Sequence, residues 1–263
     1  MKLRLIPFVD HEVGFDLLQK LIGYVAEDRV DIPAVITTEA NRGAWWPAVD
    51  GLCLAANIPL LIYESEIRQN KLIHSADWFL LLSWKHLLPA DLIMLPNQGV
   101  LNLHYSLLPS YRGIYPVNWA IINGEKTTGI TYHFVNTKID DGEVFLQFEV
   151  PIYLTDTART LQLRLDKAAS DNFTVFMERL IGFEAEKHEI YSRKASQKAS
   201  EYYSRNRFED VCRIDLNKCY KGIDFFNLLR GMAFFDDTKN VYILDREGGK
   251  KIYLHLHISE DDL

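Results

Sequence analysis

Asn102 and His104 stand two positions apart near the end of an apolar run, Val100 to Tyr105. A β-strand repeats every second residue, so both side chains fall on one face. In open α/β sheets, ligands bind beyond the carboxyl ends of the strands. The pair therefore places an amide donor and a titratable imidazole at the edge where chemistry is expected. Asp140 lies on an acidic, turn-like stretch, Asn136 to Glu143 (NTKIDDGE), which the fold can return to that edge. Such a trio suits acyl transfer without a covalent enzyme intermediate. Asn donates a hydrogen bond to an oxyanion, His takes a proton from an attacking amine near neutral pH, and Asp orients the imidazole. No G-x-S-x-G elbow occurs in the chain, so a hydrolase nucleophile is not the first reading. A strand-end Asn and His also serve as local hydrogen-bonding residues, and the residues alone leave both readings open.

The elements that must position this trio are legible as alternating patterns. Leu3 to Val9, Ile32 to Thr38, Pro59 to Tyr63, Trp78 to Ser83 and Val100 to Tyr105 are apolar runs of strand length. Helical spacing follows the first, from Val13 to Val25, and recurs from Ala44 to Asn57. Near-continuous apolar strands separated by helices predict an α/β fold, a Rossmann-like, mostly parallel sheet with helices on both faces. No G-x-G-x-x-G follows the first strand, so the dinucleotide fingerprint is absent. Ile114 to Asn123 reads as a helix closed by Gly124. Gly129 to Val135 and Val144 to Pro151 read as strands. Thr157 to Phe183 reads as one long amphipathic helix, with Thr155 and Asp156 as capping candidates. The pattern divides the chain into a catalytic domain (1–187), a polar connector (188–207) and a small C-terminal region (208–263) of a helix and a β-hairpin. Val241 to Asp245 and Lys251 to Ile258 form that hairpin, with Arg246 to Gly249 at the turn.

Composition narrows the function. The 263 residues carry 29 Lys and Arg against 36 Asp and Glu, a net charge of −7. A chain built to grip a phosphate backbone is usually basic, so nucleic acid is not expected as a partner. Three cysteines, Cys53, Cys212 and Cys219, form no disulfide framework and no zinc spacing. The N-terminal apolar run is too short for a signal peptide, and no run reaches the length of a membrane span. The expectation is a reduced, soluble, cytoplasmic protein without a membrane partner. Asp10-His11-Glu12 reads as a loop rather than a metal site, His255 and His257 as one face of a strand, and Trp45-Trp46 as helix packing.

Three linked motifs carry a resemblance. Asn102 to Gly113 (NLHYSLLPSYRG), Gly129 to His133 (GITYH), and Ile139 to Val144 (IDDGEV) with Gln147 resemble, in order and spacing, the 10-formyltetrahydrofolate-dependent formyltransferase family. That family includes methionyl-tRNA, glycinamide ribonucleotide and nucleotide-sugar formyltransferases, and the resemblance covers roughly residues 75 to 180. It implies that Asn102, His104 and Asp140 are the catalytic trio. Asp140 rather than Asp141 matches, because it stands seven before Gln147. It implies 10-formyltetrahydrofolate as formyl donor, no metal, and direct attack of an acceptor amine on the formyl carbon. It also implies that two loops hold the pterin: Trp84, Lys85, His86, Leu87 and Leu88 in one, Asn136, Lys138 and Ile139 in the other. Two departures stand out. Tyr105 replaces the proline that usually follows the histidine, and Ser83-Trp84 replaces a glycine-rich form. His133 supports the site from behind the trio.

The resemblance also ranks the acceptors. The C-terminal region is too short for the β-barrel of the methionyl-tRNA enzymes, and the glycinamide ribonucleotide enzymes end near the long helix. The nucleotide-sugar branch remains, and with it N-formylation of a dTDP-linked amino-dideoxy sugar destined for surface polysaccharide such as the O-antigen of lipopolysaccharide. A nucleoside diphosphate needs cations and an aromatic platform. Arg112, Arg205, Arg207 and Arg230 are candidates for the first, Tyr202 and Tyr203 for the second, and Tyr105 shapes the acceptor pocket. A homodimer is expected. The alternatives are a methionyl-tRNA or small-amine formyltransferase, and a non-catalytic folate-binding module.

Overall fold

The computed structural model describes residues 2–39, 48–64, 67–183, 201–233, 240–245 and 249–258. The predicted helix over Trp45-Trp46, the hairpin turn at 246–248 and most of the connector lie outside these. The strands are β1 (Leu3–Val9), β2 (Val30–Asp31), β3 (Val35–Thr37), β4 (Leu60–Ile62), β5 (Trp78–Leu82), β6 (Gly99–His104), β7 (Arg112–Gly113), β8 (Thr127–Phe134), β9 (Val144–Pro151), β10 (Tyr202–Tyr203), β11 (Tyr242–Leu244) and β12 (Lys251–Tyr253). The helices are α1 (His11–Ala26), α2 (Asp50–Ala55), α3 (Ala90–Ile93), α4 (Pro116–Ile122), α5 (Ala158–Asp171), α6 (Phe173–Ile181), α7 (Arg205–Cys212) and α8 (Gly222–Met232).

One eight-stranded sheet runs in the order β4-β3-β1-β5-β6-β8-β9, with β2 paired to β1. The pairs from β4 to β6 are parallel, and β8 joins β6 antiparallel. The Rossmann-like, mostly parallel sheet expected from the apolar runs is therefore present. The chain folds into two compact units. Unit 1 holds residues 1–104, 131–146 and 168–197, and unit 2 holds 105–130, 147–167 and 198–263.

In unit 1, β1 and β5 are buried along most of their length because helices cover both faces of a parallel sheet. Ile6, Phe8, Ile36, Phe79, Leu81, Leu92 and Val100 form one cluster of its core. α1 turns Val13, Leu17, Leu18, Leu21 and Tyr24 inward at helical spacing. In unit 2, Trp119, Tyr203, Phe208, Leu228 and Met232 form the core. α4 opens on Pro116 at its first turn and ends at Gly124, whose φ of 72° and backbone bond to Ile121 close the helix as predicted.

The expected long helix is two. Asn172, with φ of −95° and ψ of 3°, stands between α5 and α6, and its side-chain amide joins its backbone N–H in donating to the Ala168 carbonyl, at 2.9 and 3.1 Å. The entry is capped by Thr157 rather than by Thr155 or Asp156: Thr160 N–H donates to Thr157 Oγ1 at 3.2 Å. Within the predicted connector, residues 202–203 form β10 beside β7, and α7 begins at Arg205. The C-terminal strands pair antiparallel, Tyr242 opposite Tyr253.

Candidate active site

β6 carries the pair. Asn102 and His104 share a face, and the antiparallel register sets His133 of β8 opposite Asn102. Directly opposed residues of such a ladder point the same way, so three polar side chains converge. Asn102 Nδ2 lies 3.1 Å from His133 Nε2. His133 Nδ1 lies 3.0 Å from the Phe134 carbonyl. A carbonyl only accepts, so Nδ1 carries the hydrogen and the neutral ring's Nε2 accepts from the Asn102 amide. One amide hydrogen is thereby used inside the protein, and the other, without a partner among the described residues, can meet a developing oxyanion.

Asp140 completes the group from the turn after β8. Its Oδ2 lies 3.7 Å from His104 Nδ1 and its Oδ1 lies 3.6 Å from His133 Nε2. His104 is buried and Asp140 nearly so, with side-chain exposures of 8% and 13%. The turn is tightly built. Phe134 N–H donates to the Glu143 carbonyl at 2.9 Å. A Cβ on Gly142 would sit 1.6 Å from the Phe134 carbonyl oxygen, which admits only glycine there. Asp140 itself has φ of 47°, a left-handed conformation that Asp tolerates better than most residues. Asn136 Oδ1 accepts from Lys138 N–H at 2.8 Å, an Asx turn that shapes the start of the same stretch. Lys138 is exposed, and Asn136 and Ile139 are half-buried.

The other expected donor loop follows β5. Trp84 packs against Phe8 and Tyr63 at ring separations of 5.2 and 5.1 Å, and His86 stacks on Tyr63 at 5.6 Å. Leu88 is buried in the core of unit 1 and Leu87 is 72% exposed. Lys85 is not simply a surface cation: its Nζ lies 3.1 Å from Asp10 Oδ2. Sequence reasoning missed Asp10, because an acidic residue after a strand carries no signal of being fully buried.

Residues 23–177 match the formyl transferase family. The chain belongs to that family. Residues 207–260 match the N-formyltransferase dimerization C-terminal domain. The methionyl-tRNA formyltransferase of Fusobacterium nucleatum is 36% identical over 179 residues, covering 66% of this chain but only 55% of that protein. That of Flavobacterium johnsoniae is 33% identical over 242 residues, covering 88% of this chain and 73% of the other. The structure of a sugar N-formyltransferase from Shewanella sp FDAARGOS_354 superposes with a TM-score of 0.78 at 23% identity, covering 99% of both chains. An N-formyltransferase from Helicobacter canadensis, in complex with folinic acid and dTDP-3-aminofucose, superposes with a TM-score of 0.65 at 23% identity, covering 89% of this chain and 81% of that one. At these identities the superpositions establish the formyl transferase fold.

Unit 2 of this formyl transferase chain holds the residues expected to meet an acceptor, and it uses several of them internally. Tyr105 donates from its hydroxyl to Asp166 Oδ1 at 2.7 Å, an oxygen that Gln162 also reaches at 3.0 Å. Tyr203 is buried, stacked on Tyr111 at 5.3 Å, and its hydroxyl accepts from Asn123 at 3.0 Å. It is a core residue rather than an open platform. Arg230 is likewise turned inward. It is 3% exposed, and it donates to the carbonyls of Tyr153 and Asp156 at 3.0 and 3.1 Å and to Asn227 at 2.9 Å. Arg207 pairs with Glu201 and lies 4.4 Å from the Tyr203 ring centroid. Tyr202 is 45% exposed and Arg205 is exposed, while Arg112 is half-buried on β7. Burial pushes the Cys53 and Cys212 thiols up to about 11, so neither is an activated nucleophile.

Proposed function

We propose that the protein transfers a formyl group from 10-formyltetrahydrofolate to the amine of a dTDP-linked amino-dideoxy sugar, a step in making surface polysaccharide such as the O-antigen of lipopolysaccharide. The observation that carries formyl transfer is the meeting of Asn102, His104 and Asp140 at the end of β6, with His133 behind them. The amine nitrogen attacks the formyl carbon and forms the new C–N bond. Asn102 Nδ2 donates to the oxyanion of the tetrahedral intermediate. His104 takes the proton from the attacking amine, with Asp140 stabilising the imidazolium. The bond from the formyl carbon to N10 of the folate then breaks, and N10 takes the proton as tetrahydrofolate leaves. The segments 84–88 and 136–139 are assigned to the pterin, and Tyr202, Arg205 and Arg112 to the nucleotide.

The sugar reading is supported by the end-to-end match to a sugar N-formyltransferase structure and by the net charge of −7. The names of the sequence relatives favour a second reading, methionyl-tRNA as acceptor. The test is release of tetrahydrofolate, followed by absorbance, with formyltetrahydrofolate and a panel of dTDP-linked 3-amino and 4-amino sugars beside charged methionyl-tRNA. Turnover with one sugar and none with tRNA supports the proposal. Turnover with tRNA alone rejects the sugar acceptor, and binding of folate without any turnover favours a folate-binding module. The match to a dimerization domain supports a homodimer, and the enzyme is assigned to the cytoplasm.

A further inference from the structure

The connection between β5 and α3, residues 83–89, belongs to neither element. Side-chain contacts help to set its course. Two of its first three residues are clasped by Asp10, which joins β1 to α1, and by His11, the first residue of α1. Lys85 Nζ lies 3.1 Å from Asp10 Oδ2, and Ser83 Oγ lies 3.1 Å from His11 Nδ1. Both His11 and Ser83 adopt left-handed backbone, with φ of 58° and 62°. Asp10 has 0% exposure while the Lys85 side chain is 40% exposed. The carboxylate also receives the Thr38 hydroxyl, at 2.9 and 3.1 Å to its two oxygens. A buried carboxylate needs its charge compensated. Asp10 finds its cation on the segment assigned to the pterin, so any course of that segment that withdraws Lys85 leaves a buried carboxylate without its cation.

We propose that Asp10 is a positioning residue for the formyl donor: by holding Lys85 it fixes the donor-binding segment 84–88 in the conformation that receives the folate. This rests on the assignment of that segment above. Asp10 is fully buried, so it acts through Lys85 and not by touching the donor. Its loss should weaken donor binding while leaving the trio on β6 and the turn after β8 in place.

The experiment compares wild type, Asp10→Asn, Lys85→Met and the double variant. Calorimetry measures binding of 5-formyltetrahydrofolate, and steady-state kinetics measures KM for 10-formyltetrahydrofolate and kcat. Each single variant is expected to raise Kd and KM about tenfold with kcat changed less than twofold. The double variant is expected to be no worse than the worse single, because both changes break one clasp. Multiplying effects, or a loss in kcat with Kd unchanged, overturns the proposal. If Asp10→Asn does not fold, Lys85→Met with Thr38→Val carries the same comparison, since Thr38 holds the carboxylate from the other side. Folate binding by wild type that persists undiminished in every variant refutes the clasp alone. Absence of folate binding by wild type refutes the donor assignment and the clasp together.

Discussion

His104 and Asn102 make the sharpest claims on the chemistry. Replacing His104 with alanine should lower kcat about 10²–10⁴-fold, the range for a lost general base. Binding of 5-formyltetrahydrofolate should remain, as calorimetry would register. Asn102→Ala should cost about 10²–10³ in kcat, as for other oxyanion donors. Turnover of either variant at the wild-type rate would remove it from the mechanism. Asn102 and His104 could be read from the sequence because the period of a strand fixes which side chains share a face. Asp140 was legible through the resemblance alone, since its place beside His104 depends on how the chain returns after β8. The opposition of His133 to Asn102 needed the ladder register, which no local pattern encodes. Tyr132 gives a contrasting test on the same strand. Its ring stacks on Phe176 at 3.9 Å, yet its hydroxyl is buried without a hydrogen-bond partner among the described residues. Tyr132→Phe should therefore raise stability by about 1 kcal/mol, seen as a higher melting temperature with unchanged kcat.

Two elements make their own predictions. Burial lowers the pKa of His11, at the start of α1, below its ordinary value; Asp10 opposes this, Lys85 adds to it, and the hydrogen bond to Ser83 opposes it again. The unfolded chain therefore binds this proton at a pH where the folded chain refuses it. Stability from the neutral form is complete above about pH 6.5 and is lost as pH falls from there through the lowered folded value. Thermal melts between pH 7 and pH 5 should show that slope, and His11→Asn should flatten it. The turn after β8 is the second. Gly142→Ala would place a methyl inside the Phe134 carbonyl, forcing the turn open and moving Asp140, with loss of both stability and turnover. The strands of the parallel sheet were legible because buried runs are almost continuously apolar. The division of the long helix was not, because the amphipathic pattern continues through Asn172 and only its backbone angles, φ of −95° and ψ of 3°, depart from the helix.

For the molecule as a whole, charge and buried cations decide more than motif. With a net charge of −7, the full chain should show no retention on immobilised tRNA at physiological salt, while light scattering should return twice the chain mass. The four arginines singled out for the acceptor look alike in sequence, yet their surroundings separate them. Arg230 satisfies two carbonyls and Asn227 in the interior of unit 2. Arg230→Met should therefore lower stability by about 2 kcal/mol or more through buried acceptors left unpaired. Burial of a polar residue arises from the packing of distant segments, and that is what a linear reading of unit 2 lacked.

The chain passes from one unit to the other five times, and this bears on how such a protein can change over generations. A stretch gained or lost at one end transplants neither unit whole. Residues 198–263 must fit residues 105–130 and 147–167 that are already in place. The fit is close: Asn118 donates to the Gly231 carbonyl at 2.8 Å, and a Cβ on Gly231 would stand 2.7 Å from Ile122. A new tail acquired by recombination would arrive as a foreign key to an old lock, and its success would depend on α4 changing with it.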